Sequence, residues 1–171
     1  VLVLEKIRKA FVKECFFETL NDNRYTFRVV AIRTKKPRYT FLIYHTGKIV
    51  CTGSKSLENA NRSDKYLLSL FKKASINTKL NTKAKIQNIV ATTKLKETID
   101  LEEFLTQAQK QRGAHVIYEP DQFPAAIIKF RVDREREATI LLFSSGKLVC
   151  VGLTNLERIH ESIKTIESIR Q

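Results

Sequence analysis

The chain has 171 residues, 43% of them apolar, enough to bury a core as one domain or as two closely joined halves. Its 31 Lys/Arg against 18 Asp/Glu give a net charge of +13, which favours a polyanionic partner, either nucleic acid or an anionic membrane surface. No apolar run approaches the roughly 20 residues that span a bilayer, and the three scattered cysteines Cys15, Cys51 and Cys150 suit neither a disulfide framework nor a zinc site, so a soluble intracellular protein is expected with its cysteines as small buried hydrophobes.

One feature organises the elements along the chain. Segment 39–53 (YTFLIYHTGKIVCTG) recurs at 138–152 (ATILLFSSGKLVCVG), with seven of fifteen positions identical and no gap. An offset of 99 residues is too long for a solenoid repeat and marks a duplicated half-domain. By that offset the first element is a helix at about 2–14 carrying Ile7, Ala10 and Phe11, the partner of a later one. Alternation then predicts a strand over Arg24–Arg33, and segment 39–53 reads as strand, glycine turn at Gly47, and strand. A helix follows Ser56 with Leu57, Ala60, Leu67 and Phe71 on its apolar stripe. Residues 74–84 are polar but short, and the halves are drawn as 1–76 and 77–171, sharing one sheet. The first holds 16 Lys/Arg and 6 Asp/Glu, net +10; the second holds 15 and 12, net +3. In the second copy Asp100 and Glu103 cap a helix with Leu101, Phe104, Leu105 and Ala108. A strand over Phe123–Arg131 follows, then the second hairpin turning at Gly146. The last helix has Thr154 and Glu157 as a capping box and Leu156, Ile159, Ile163 and Ile166 as its stripe. The fold class is α+β, one half used twice.

The hairpin strands are apolar on both faces, where a sheet covered by helices on one side alternates with polar residues. Phe41, Ile43, Ile49 and Cys51 oppose Leu42, Tyr44, Val50 and Thr52; Ile140, Leu142, Leu148 and Cys150 oppose Leu141, Phe143, Val149 and Val151. Too few helices exist to cover both, so an exposed apolar face is expected, and such faces mark binding sites. Rimmed by lysine and arginine, it suits either an opened minor groove or a protein surface.

Segment Pro37–Ser56 (PRYTFLIYHTGKIVCTGSKS) resembles the TATA-box-binding protein family, in which a Pro-Arg turn leads into a strand, a Ser-Gly-Lys turn and Val-x-Thr-Gly-Ala-Lys-Ser. Ile86–Val90 (IQNIV) resembles the opening strand of its second repeat, and Tyr118–Pro124 (YEPDQFP) its Tyr-Glu-Pro-Glu-Leu-Phe-Pro motif. The resemblance covers nearly the whole chain. It implies two tandem pseudo-symmetric repeats forming one curved antiparallel sheet, a saddle with helices on its convex face. It also implies a general initiation factor that binds and bends the minor groove of TATA-like promoter DNA, aromatic wedges entering base steps; TATA-binding proteins are an established instance of that mode.

By matching motifs the implied wedges are Tyr25 with Tyr44 and Phe123 with Phe143. The family has phenylalanine at all four places, so the two tyrosines are departures. Leu42, Val50, Val90, Pro124, Leu141 and Val149 would make apolar groove contacts. Thr52 would donate a hydrogen bond where Val151 in the second repeat lacks one, and Asn88 would reach acceptors near the pseudo-dyad. Phosphate contacts are implied for Arg24, Lys48, Lys55, Lys129 and Lys147, while Thr154 replaces a family lysine. Glu119 and Asp121 match the acidic loop that meets general initiation factors, with Gln122 replacing a leucine there. The spacings 25–44 and 123–143 exceed the family's, which implies insertions near Thr34–Lys36 and Asp133–Glu137. The first strand of repeat one is expected upstream of Val1.

An enzyme is not expected: His45, His115 and His160 lie far apart, and no metal-ligand spacing, phosphate-cradling loop or catalytic triad can be assembled, so neither cofactor nor metal is implied. The rival reading is a docking module on the same scaffold with weak or no TATA-specific binding. Expected partners are double-stranded promoter DNA and initiation factors, with no membrane, and with self-association through the apolar face when DNA is absent. The nucleus is the expected location, or the cytoplasm for an archaeal or cytoplasmic-virus protein.

Overall fold

A computed structural model describes residues 4–11, 15–22, 25–80, 83–110, 114–132 and 137–169, with the backbone alone for 15–22 and 25–28. It divides into two compact units, Val1–Lys85 and Ile86–Gln171, so segment 77–85 goes with the first. This boundary sharpens the charge asymmetry. Residues 1–85 contain 19 Lys/Arg and 6 Asp/Glu, net +13, while 86–171 contain 12 of each, net zero.

In the first unit α1 (Leu4–Ala10) precedes β1 (Cys15–Asp22), β2 (Tyr25–Lys35), β3 (Arg38–Tyr44), β4 (Ile49–Thr52) and α2 (Leu57–Lys73). In the second, β5 (Ile89–Lys94) and α3 (Leu101–Ala108) precede β6 (Ala114–Ile117), β7 (Ala125–Arg131), β8 (Glu137–Phe143), β9 (Lys147–Leu153) and α4 (Leu156–Ile169). All pairings are antiparallel, in a four-stranded sheet β1-β2-β3-β4 and a five-stranded sheet β5-β9-β8-β7-β6. Hydrogen bonding thus groups the described strands into two sheets, where the sequence reading expects one. Strands β1 and β6 are additions to the elements expected from sequence.

Each unit covers one sheet face. Val30, Ile32, Phe41 and Ile43 pack against Leu4, Ile7 and Phe11 at and just beyond α1, and against Leu67 and Phe71 of α2. Ile128, Ile140, Leu142, Leu148 and Cys150 pack with Phe104 and Ala108 of α3 and Ile159, Ile166 and Ile169 of α4. Each such side chain contributes on the order of 1.5–3 kcal/mol on burial. Ala10 is exposed and Leu4 takes its expected place, because 4, 7 and 11 share one side of a short helix. Leu57 and Leu156, 36% and 43% exposed, lie outside the cores, while Ser63 and Ser162 at matching positions are buried. The Ser162 hydroxyl satisfies itself by donating to the Arg158 carbonyl at 2.8 Å.

The helix starts follow capping chemistry. Ser56 accepts from the Asn59 N–H at 3.1 Å, and Asp100 accepts from Glu102 and Glu103 at 3.0 and 3.1 Å. For α4 the cap is Asn155, whose Oδ1 accepts from the Glu157 N–H at 2.7 Å, and not Thr154 as the capping-box pattern predicts. Asn is at least as good a cap as Thr, and it sits one residue closer to the first helical turn.

Candidate nucleic-acid interface

The face away from the helices carries the interface residues, because strand side chains alternate and both helices of each unit lie on the other side. In the first unit Leu42 stands between Ala31 and Val50 across β2, β3 and β4, and Thr40 between Arg33 and Thr52. Leu42, Val50 and Tyr44 are half-buried and Thr52 is exposed. In the second unit Ile127, Leu141, Val149 and Thr92 form one row across β7, β8, β9 and β5. Lys129, Thr139 and Val151 form the next. Leu141, Val149 and Val151 are half-buried, Pro124 is exposed, and Val90, beside a register irregularity in β5, is 61% exposed.

Aromatic side chains stand at the end of each row set. Phe123, 39% exposed, meets Phe143 edge to face at 6.1 Å between ring centroids. The Lys147 ammonium lies 5.7 Å from the Phe143 centroid, over the ring, so this aromatic pair carries its own cation. In the first unit Tyr44 closes β3 opposite Val29, as Phe143 closes β8 opposite Ala125. Two residues before Ala125 is Phe123; two before Val29 is Phe27. Register therefore makes Phe27 the counterpart of Phe123, and Tyr25 falls two residues short.

That correspondence removes an expected insertion. The spacing 27–44 is 17, the family's own, whereas 123–143 is 20. Strands β2 and β3 join through a two-residue turn, Lys36-Pro37, between paired Lys35 and Arg38, so no extra residues lie near Thr34–Lys36. Between paired Arg131 and Glu137 five residues intervene, and the extra length belongs to the second hairpin alone. The backbone of Tyr25 and Phe27 lies in β2; Arg24 and the side chains of Tyr25 and Phe27 lie outside the described residues. Register likewise pairs Lys129 with Arg33, which motif matching overlooks.

Cations ring the face. Lys48 is exposed in the first hairpin turn and Lys147 at the start of β9, Lys55 is exposed beyond β4, and Lys129 is half-buried on β7. The turns differ in their surroundings. Gly47 (φ +88°) has open space where a Cβ would stand, but at Gly146 (φ +80°) a Cβ would lie 2.4 Å from the Glu97 carbonyl oxygen. Segment 95–99 straps the second turn, with the Leu95 N–H donating to Gly146 at 2.9 Å and the Ile99 N–H to Ser144 at 2.8 Å. Asn88 is exposed, and its Oδ1 accepts from the Gly152 N–H at 2.9 Å, which leaves its amide N–H₂ as a donor held in place. Glu119 and Asp121 are exposed on a turn closed by the Gln122 and Phe123 N–H groups, each donating to the Glu119 carbonyl at 2.9 Å.

Cys51 and Cys150 pack with the cores on the helix side of their sheets. Burial pushes Cys51 and Cys150 up from the ordinary thiol value, with a Ser63 hydrogen bond partly offsetting the rise at Cys51. The Cys15 side chain lies outside the described residues. Among the described residues no group of three His, Cys, Asp or Glu could hold a metal ion.

Sequence reasoning missed Phe27, Arg33, Thr92 and Thr139. Counting backwards from Tyr44 with the 17-residue spacing would have found the first, and the duplicated segment already aligns Thr139 with Thr40; Arg33 and Thr92 become visible only through cross-strand register.

Residues 4–74 and 83–169 match the family model for transcription factor TFIID, or TATA-binding protein. The TATA-box-binding protein of Archaeoglobus fulgidus is 33% identical over 157 residues, covering 86% of this chain and 82% of that protein. The TATA-box-binding protein of Pyrobaculum aerophilum is 33% identical over 140 residues, covering 82% of this chain and 66% of that protein. Among solved structures, Methanococcus jannaschii TBP matches with a TM-score of 0.68 at 30% identity over 96% of this chain and 88% of that one. Duplicated α+β units, an open apolar face and these matches agree: the chain belongs to the TATA-binding protein family.

Proposed function

We propose that this chain, as a transcription initiation factor, binds the minor groove of TATA-like promoter DNA, bends it, and recruits further initiation factors. The family is one of DNA-binding transcription factors and not of enzymes. The observation that carries the reading is the exposed Phe123–Phe143 pair with Lys147 above it, at the end of an uncovered apolar face. Aromatic edges of that kind enter a base step, the apolar rows meet sugars and base edges, and the cation meets phosphate. In the first unit Tyr44 acts with Phe27, or with Tyr25 if the motif match outweighs the register. Leu42, Val50, Thr52, Val90, Pro124, Leu141, Val149 and Val151 form the groove surface. Asn88 donates to base acceptors, and Arg24, Lys48, Lys55, Lys129 and Lys147 meet phosphates. Glu119 and Asp121 offer an acidic contact to a recruited factor. The relatives named above are archaeal, from cells without a nucleus, which favours the cytoplasm over the nucleus.

The test is a pair of duplexes. The chain is expected to bind a TATA-like duplex more tightly than a scrambled one, with end-to-end shortening read by fluorescence transfer. Phe143→Ala is expected to reduce the shortening while circular dichroism stays unchanged. Equal affinity for both duplexes without shortening would leave the docking-module reading, which Tyr44 and Val151 favour.

A further inference from the structure

We infer that Thr139 on β8, and not the β9 position 151, supplies the hydroxyl with which the second unit hydrogen-bonds base edges. The inference rests on the minor-groove reading above. The row Arg33, Thr40, Thr52 in the first unit corresponds by register to Lys129, Thr139, Val151 in the second. In this row, therefore, two hydroxyls face outwards in the first unit and one in the second, and the remaining one stands on the neighbouring strand. Thr40 and Thr139 are half-buried and Thr52 is exposed. None of the three hydroxyls hydrogen-bonds another described residue, as the Thr34 and Thr106 hydroxyls do.

A hydroxyl set among Leu141, Val149 and Val151 loses water when a duplex covers the face, and that loss costs free energy unless it meets a partner. The minor groove offers an acceptor, adenine N3 or thymine O2, at every A·T pair. Thr139 therefore turns a desolvation cost into a contact, and the apparent loss of a polar group at Val151 becomes a displacement. Side chains directly opposite in an antiparallel pair have Cβ atoms about 5 Å apart. A threonine at 151 would thus stand beside Thr139 as a separate donor and not in its place.

The experiment scans a TATA-like duplex with single 3-deazaadenine or 2-thiothymine substitutions, each deleting or weakening one minor-groove acceptor. For the unaltered chain, one position in the half bound by the second unit is expected to weaken binding. Thr139→Val, isosteric and well suited to a strand, is expected to bind the unmodified duplex about two- to tenfold less tightly and to be silent to that substitution. Thr139→Ser should keep both affinity and profile. Val151→Thr is expected to add a second sensitive position, which tests the displacement even if Thr139→Val fails to fold. The inference is overturned if Thr139→Val retains wild-type affinity and profile, or if Thr139→Ser loses as much as Thr139→Val. If the unaltered chain does not distinguish a TATA-like from a scrambled duplex, the minor-groove reading itself fails and Thr139 falls with it.

Discussion

At the scale of single residues the two copies of one motif differ through their neighbours. Gly47 and Gly146 occupy the same turn position with the same positive φ, which costs an L side chain about 1–2 kcal/mol. Only Gly146 has a strap across it. Gly47→Ala is thus expected to lose about that amount, and Gly146→Ala distinctly more, because its Cβ would overlap the Glu97 carbonyl oxygen; urea midpoints of the two variants decide this. Tyr39 illustrates a buried polar group made tolerable. It is 1% exposed, its ring lies 5.3 Å from both Phe41 and Tyr66, and its hydroxyl donates to the Asn59 carbonyl at 2.7 Å. Tyr39→Phe is expected to cost about 1 kcal/mol. Burial raises Tyr39 above 10.0, and Cys51 and Cys150 above 9.0. The protonated forms are the neutral ones, so above those ordinary values the unfolded chain loses protons that the folded chain keeps. Stability is accordingly intact below about pH 9 and falls as pH rises through the shifted values. Denaturation curves between pH 8 and pH 11 should show that fall, made shallower by Tyr39→Phe.

At the scale of elements, register carries information that motif matching does not. Strand β2 shows this. Matching by local similarity selects Tyr25, but the pairings Val29–Tyr44 and Ala125–Phe143 select Phe27. The two choices make opposite predictions about bending. Phe27→Ala is expected to reduce DNA shortening by fluorescence transfer to an extent comparable with Phe143→Ala, and Tyr25→Ala to leave it nearly unchanged. The reverse result would restore the tyrosine pair. A one-residue slip of register would move every side chain to the other face; between β2 and β3 the two-residue turn Lys36-Pro37 fixes the register. The helices behave likewise: their caps and stripes can be read locally, but a stripe's ends cannot. Leu57 and Leu156 fit the period and are still exposed, each being the first residue of its helix.

At the scale of the molecule the division at Lys85 separates a unit of net charge +13 from one of zero. Most of the long-range electrostatic attraction to a duplex is therefore expected from the first unit, while the second brings the phenylalanine pair and the local cations Lys129 and Lys147. Binding is expected to weaken steeply with salt as phosphate contacts release counterions. Lys48→Ala and Lys147→Ala should each reduce the slope of log K against log salt by about 0.9 if each lysine meets one phosphate. A flat salt response would point to a protein partner in place of DNA.

Much of this was legible in the residues themselves. The duplication, both glycine turns, the caps at Ser56 and Asp100, the two-faced apolar strands and the family resemblance are local patterns, and short-range sterics and hydrogen bonding make such patterns readable along the chain. What only the tertiary structure decided depends on which residue stands opposite which. Strands β1 and β6, the division at Lys85, the strap over Gly146, and the rows that set Arg33 beside Thr40 and Lys129 beside Thr139 all required pairing distant segments. Register is a property of two strands at once, set by how their apolar faces pack on the helices, and no single stretch of sequence contains it.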